Sequence, residues 1–327
     1  MTLPLKMMFG IIASQQGSAP PPVPKSGFYS GTYTGNSAGQ VISCPGVDLK
    51  NAPGFISIKA NDAEYHWCQT VTEDGPNVQY GSSGTGITYD LDAITAFNDG
   101  SFDTGGNDRV NATSDQHLFW AMSGRDLISL KEYTGNGGTQ NIPLDLVNEP
   151  SMIWVKEKNA SNWAVYTGSG GPGKHMILNL PNSETVSNCW NNTAPTKNTL
   201  SLGNDVLVNA SGRNYMAMAF CWNAGHCVGI GYTGSSSPVE VNLGFDPDIV
   251  IIKCRTTAVA WVVFSKALGI NPIGSNDPFF QLDSKDRYVT GNDFVYPISG
   301  GIGINAGNNL NLSGEEYFII AWKNGGI

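Results

Sequence analysis

The chain has 327 residues, only 14% of them charged, with a net charge of −9 and a pI near 4.8. No basic stretch is dense enough to follow a phosphate backbone, which excludes nucleic acid and an anionic membrane surface as expected partners. The 40 glycines exceed the average share of about 7% and suit a β protein with many tight turns.

Residues 1–26 read as an arm. Met7, Met8, Phe9, Ile11 and Ile12 make an apolar peg that is too short to cross a bilayer. It barely reaches the apolar length of a cleaved secretory signal, about 7–15 residues, which is the alternative reading. As a peg it would anchor the chain on a partner or on sister chains. Ala19 to Pro24 then form a stiff polyproline spacer.

The rest of the chain repeats. Ala52-Pro53-Gly54-Phe55-Ile56-Ser57-Ile58-Lys59, Glu149-Pro150-Ser151-Met152-Ile153-Trp154-Val155-Lys156 and Asp246-Pro247-Asp248-Ile249-Val250-Ile251-Ile252-Lys253 are spaced alike. Each block is preceded by a Tyr-Thr-Gly landmark at Tyr33, Tyr133 or Tyr232. Each is followed by an aromatic stretch around Trp67, Trp163 or Trp261, and by a polar turn leading to an apolar strand. Four landmarks in one order, three times over, define modules over residues 27–125, 126–225 and 226–327. A module of about 100 residues is long enough for a β-sandwich.

The elements are strands. Met152 to Val155 and Ile249 to Ile252 are short continuous apolar runs, expected as central strands covered on both faces. Tyr215 to Phe220 and Tyr317 to Trp322 alternate in size as packed sheet interiors do. The recurring tryptophans sit among apolar neighbours and read as core rather than as sugar-stacking platforms. The expected fold is all-β: three tandem antiparallel sandwich or jelly-roll-like modules, set in line behind an extended N-terminal arm.

The middle of each module varies between copies, as the loops of a diversifying binding scaffold do. Within these segments Trp190, His175, Phe279, Phe280, Tyr288 and Tyr296 are the candidate surface-binding residues.

Catalytic patterns are weak. Gly168 to Lys174 lacks the spacing of a phosphate loop. Cys221, His226 and Cys227 do not match zinc-ligand spacing, and Asp90, Asp92, Asp99, Asp103 and Asp108 lack the order of a calcium loop. Glu73, Glu184, Glu240, Glu315 and Glu316 do not recur among the modules. No enzyme activity, cofactor or metal is expected. The six cysteines do not follow the repeat, so they read as buried free thiols formed in a reducing compartment.

The series Tyr-Thr-Gly-Asn, Gly-Phe-x-Pro-Asp, a strand ending in Lys, Asn-Ala-Ser-Gly and Tyr-x-x-x-Ala-Phe resembles a repeat of tailed-bacteriophage virion proteins of the tail-fibre and structural type. Gly244-Phe245-Asp246-Pro247-Asp248 with Lys253, and Asn209-Ala210-Ser211-Gly212 with Tyr215 to Phe220, carry it most clearly. It spans about residues 30–323, and module one departs from it most. The resemblance implies a virion component, assembled in the host cytoplasm, and contact with the host surface. The expected role is a fibre, spike or head-decoration subunit, homo-oligomeric and favouring a trimer. Its expected partners are other virion proteins and a bacterial surface polysaccharide or receptor. A secreted carbohydrate-binding array and a polysaccharide depolymerase are the alternatives.

Overall fold

The computed structural model describes residues 25–82, 86–159 and 161–327. The expected anchoring residues Met7, Met8, Phe9, Ile11 and Ile12 lie outside the described residues. Among the described residues nearly all regular structure is β, in separate antiparallel sheets, and the two helices are single turns, Asp108–Asn111 and Val206–Asn209.

Each module builds one large and one small sheet. In module two the large sheet orders the strands Ile128–Thr134, Asn214–Cys221, Pro150–Glu157, Trp163–Thr167 and Lys174–Ile177, all antiparallel. The same order holds for Gly27–Thr34, Gln116–Ser123, Gly54–Ala60, Cys68–Val71 and Val78–Gly81 in module one. It holds again for Cys227–Thr233, Glu316–Trp322, Ile249–Cys254, Val262–Ser265 and Phe279–Gln281 in module three. The small sheets are Gln40–Asp48 with Asp99–Thr104 and Ile94–Phe97, then Gln140–Pro143 with Thr199–Leu202, and Val239–Asn242 with Gly301–Ile304 and Val295–Ile298.

The large sheets are apolar on both faces because strand side chains alternate. In module two Tyr215, Ala217 and Ala219 face the small sheet and bury against Ile142, Leu144, Leu200 and Leu202. Met216, Met218 and Phe220 point the other way. There they meet Phe55, Trp67 and Trp120 of module one and Ile251, Trp261 and Phe318 of module three in one buried cluster. The modules are therefore not set in line. A row of independent sandwiches would leave these second faces in water, and the three modules instead cover them for one another.

The closure is cyclic. The Trp67 indole N–H donates to the Gln281 carbonyl in module three (2.9 Å), Trp163 to Gly81 in module one (3.1 Å) and Trp261 to Ile177 in module two (2.8 Å). A second set of bonds runs the opposite way round. The Ile87 amide donates to the Lys158 carbonyl, Glu184 to the Arg255 carbonyl and Tyr288 to the Asn61 side chain. The seam between modules three and one has no covalent link. It is sealed by Gly325–Gly326, which pair with Gly27 and Phe28 of the first strand, and by Asn324, whose Oδ1 accepts from the Ser30 amide at 2.8 Å.

Each module is locked locally by the same polar set. Tyr33, Tyr133 and Tyr232 stack on His117, Tyr215 and Tyr317 and donate to the carbonyls of Val110, Val208 and Leu310. Buried Asn111, Asn209 and Asn311 accept from the amides of Asn36, Asn136 and Ser235. The glycine between these groups is obligatory: a Cβ on Gly35, Gly135 or Gly234 would lie 2.0, 2.3 or 2.1 Å from a facing carbonyl oxygen.

Lys59, Lys156 and Lys253 are fully buried. Their ammonium groups donate to backbone carbonyls, Lys156 to Glu157 at 2.6 Å and Asn159 at 3.3 Å. Loss of water lowers all three to about 8 from 10.5. Between those values the unfolded chain holds a proton that the folded chain has released, so this group's contribution to stability rises with pH. For Lys156→Met that rise is lost. The stability difference, wild type minus variant, is expected to grow by about 2 kcal/mol from about pH 7.5 to about pH 10. Paired urea unfolding at both pH values reads it, and the comparison cancels the thiols and phenols that titrate in the same range.

Candidate binding groove

The six residues singled out in the variable segments do not form an exposed set. Trp190 is fully buried against Tyr166 and its indole N–H donates to the Lys174 carbonyl at 2.8 Å. His175 is buried, with Nδ1 2.8 Å from the Ser187 hydroxyl, and burial lowers its pKa. Phe280 lies in the shared core against Trp67. Tyr296 is buried across Gly303. Tyr288 is half-buried, its ring edge on Phe280 and its amide on Asn61 at the seam with module one. The physical reason is common to them: the variable segments cover strands that need both faces covered, so their aromatics are drawn inward.

Phe279 has a different setting. It is nearly buried, but it lies at the base of a groove of about 500 Å³ on the outer side of module three. Because strand residues alternate, Phe280 enters the shared core while its neighbour Phe279 turns to module three's own core, at the floor of the groove. There it stacks on half-buried Phe294, with centroids 5.3 Å apart and planes 21° apart. Val262, Val289 and Leu310 complete the apolar wall, and Thr257, Gln281, Asn292 and Asn309 supply polar groups. No charged side chain lines it.

Two devices hold this shape. Asp277 is fully buried and its two carboxylate oxygens accept from the Asn271 amide (2.8 Å) and the Val295 amide (3.1 Å). It ties the segment before Phe279 to the strand that follows Phe294. Burial raises its pKa, opposed by these backbone bonds. On the opposite side Asn308 Oδ1 accepts from the Leu310 amide at 2.7 Å, the counterpart of Asn107 on Arg109 and Asp205 on Leu207. This places Asn309 at the surface and Leu310 in the wall.

A second groove of about 360 Å³ lies beside Pro247, Pro297 and Ile298, with Asp246 and Lys266 in its lining. Among the described residues no group of three His, Cys, Asp or Glu side chains is placed to hold a metal. No helix of the described residues is long and apolar enough to cross a membrane. All six cysteines are buried free thiols, and burial pushes Cys44, Cys68 and Cys189 up to about 12. They are structural thiols, poorly disposed to nucleophilic chemistry.

The buried asparagines and the groove residues Phe294 and Asn309 are what sequence reasoning missed. Asn111 and Asn209 recur, which marks them as structural, but recurrence does not reveal the three-way bonding. Phe294 and Asn309 carry no such signal, because they belong to module three alone.

Residues 121–325 match the model of a domain family described as a domain of unknown function (DUF7483), and the chain belongs to that family. The match takes in the last three residues of the closing strand of module one, all of module two and nearly all of module three. No curated protein matches the chain.

Replacing Asp277 by Ala leaves the buried Val295 amide and the half-buried Asn271 amide without acceptors. The expected cost is about 3 kcal/mol, read as a lowered midpoint of urea unfolding.

Proposed function

We propose that this chain is a structural component of a tailed-phage virion, a fibre, spike or head-decoration subunit that presents module three to the bacterial surface. The observation that supports this most is how the repeated residues are used. The tryptophans, lysines and asparagines that recur in all three modules are buried, the recurring tyrosines are half-buried or buried, and all are bonded to the frame. What differs between modules lies in the covering segments and the outer groove. A rigid frame with an individual recess on module three suits display and contact.

The unpaired thiols agree with synthesis in a reducing cytoplasm, where virions assemble, better than with a secreted array. Sparse charge agrees with a surface meant to avoid indiscriminate ionic contacts. Contact through several copies on one particle would turn weak single contacts into firm attachment.

The test has two parts. Antibody raised to this chain should label purified particles in electron micrographs. Excess soluble chain should slow adsorption of those particles to host cells. Particles that carry no label and adsorb at the same rate in the presence of the chain would exclude this function.

A further inference from the structure

We propose that the groove of module three is a binding site for an uncharged saccharide, supplied by the bacterial surface polysaccharide. The source of the sugar rests on the virion reading above, and the chemistry of the site does not. The recess of about 500 Å³ falls within the usual range for small-ligand sites, about 300–1,000 Å³. Its lining joins an aromatic pair to amide and hydroxyl groups and contains no charge. A pyranose presents the complementary surface: a C–H face for the Phe294 ring and hydroxyls for amides. An anionic ligand would find no cation in the lining, and burying its charge there would be costly.

The rim is available for such bonds. Among the described residues the side-chain amides of Asn309 and Gln281 make no hydrogen bond, and Asn309 is exposed. The recess is held from behind by Asp277 and the Asn308 cap, so little ordering is needed on binding. Module two shows the contrast. There the corresponding strand Lys174–Ile177 is covered by Trp190, whose indole is fully buried and bonded to Lys174. The groove beside Pro247 is the weaker candidate, since Asp246 and Lys266 give it charges of both signs.

Ligand-observed saturation-transfer NMR on the full chain tests this. The probes are neutral mono- to tetrasaccharides of hexoses, N-acetylhexosamines and deoxyhexoses, with uronate and sialylated oligosaccharides as charged controls. At least one neutral sugar is expected to bind in the millimolar range, with transfer strongest on the ring protons of one face. Phe294→Ala and Asn309→Ala should each weaken it about tenfold, while Lys266→Ala should leave it unchanged. Asn309 lies at the surface, so that variant keeps the test valid if Phe294→Ala fails to fold. Binding by no neutral sugar, preference for the charged controls, loss of binding in the Lys266 variant alone, or undiminished binding in the Asn309 variant would overturn the inference. Chain that slows particle adsorption yet binds no neutral sugar would defeat this site alone. Sugar binding by a chain missing from particles would defeat the virion reading alone.

Discussion

Each module hands the indole N–H of one buried tryptophan to a backbone carbonyl of its neighbour, and three such bonds close a ring. The rest of the structure depends on this exchange. A buried indole N–H is costly without an acceptor, and Trp67, Trp163 and Trp261 each find theirs in a neighbouring module. The acceptors are the carbonyls of Gly81, Ile177 and Gln281, at the ends of the fifth strands. Each module therefore needs its neighbour to satisfy this recurring tryptophan. The apolar inner faces, packed around Trp120, Trp154 and Trp322, add area to a contact whose register the polar bonds set.

The same logic explains the lysines. A charged ammonium at the end of a central strand is costly to bury. It is tolerated here because carbonyls converge on it, including Pro181 of module two on Lys253 of module three at 2.8 Å. Aromatic rings add to this: Lys59 lies 5.6 Å from the centroid of Phe280, across a module boundary. With the interior committed to packing, the proposed function falls to the outer surface. The groove between Phe279 and Asn309, proposed as a binding site, is positioned by the frame.

Much of the fold was legible in sequence. The constant spacing of Pro53, Pro150 and Pro247 and of the lysines marked the repeat. The continuous apolar runs at Met152 and Ile249 marked strands covered on both faces. The tryptophans read correctly as core. The arrangement of the modules was not legible, because a row of three and a ring of three have the same linear pattern. A hint was present in the doubly apolar strands, since one small sheet can cover only one face of a large one. The candidate site was mostly illegible. Adjacent Phe279 and Phe280 look equivalent until strand phase is known, and one faces the recess while the other packs under a neighbouring module. Trp190 and His175 looked suited to contact because their segment varies, and variation there reflects different ways of covering a sheet.

The dependence of each module on its neighbours is tested most directly by expressing residues 126–225 alone and following their thermal unfolding beside that of the full chain. The full chain should unfold in a single cooperative transition. The isolated module, with Trp154, Trp163, Met218 and Phe220 deprived of their cover, should show no cooperative transition and expose its indoles to quencher. A sharp, reversible transition of the isolated module, with its tryptophans shielded, would contradict the account.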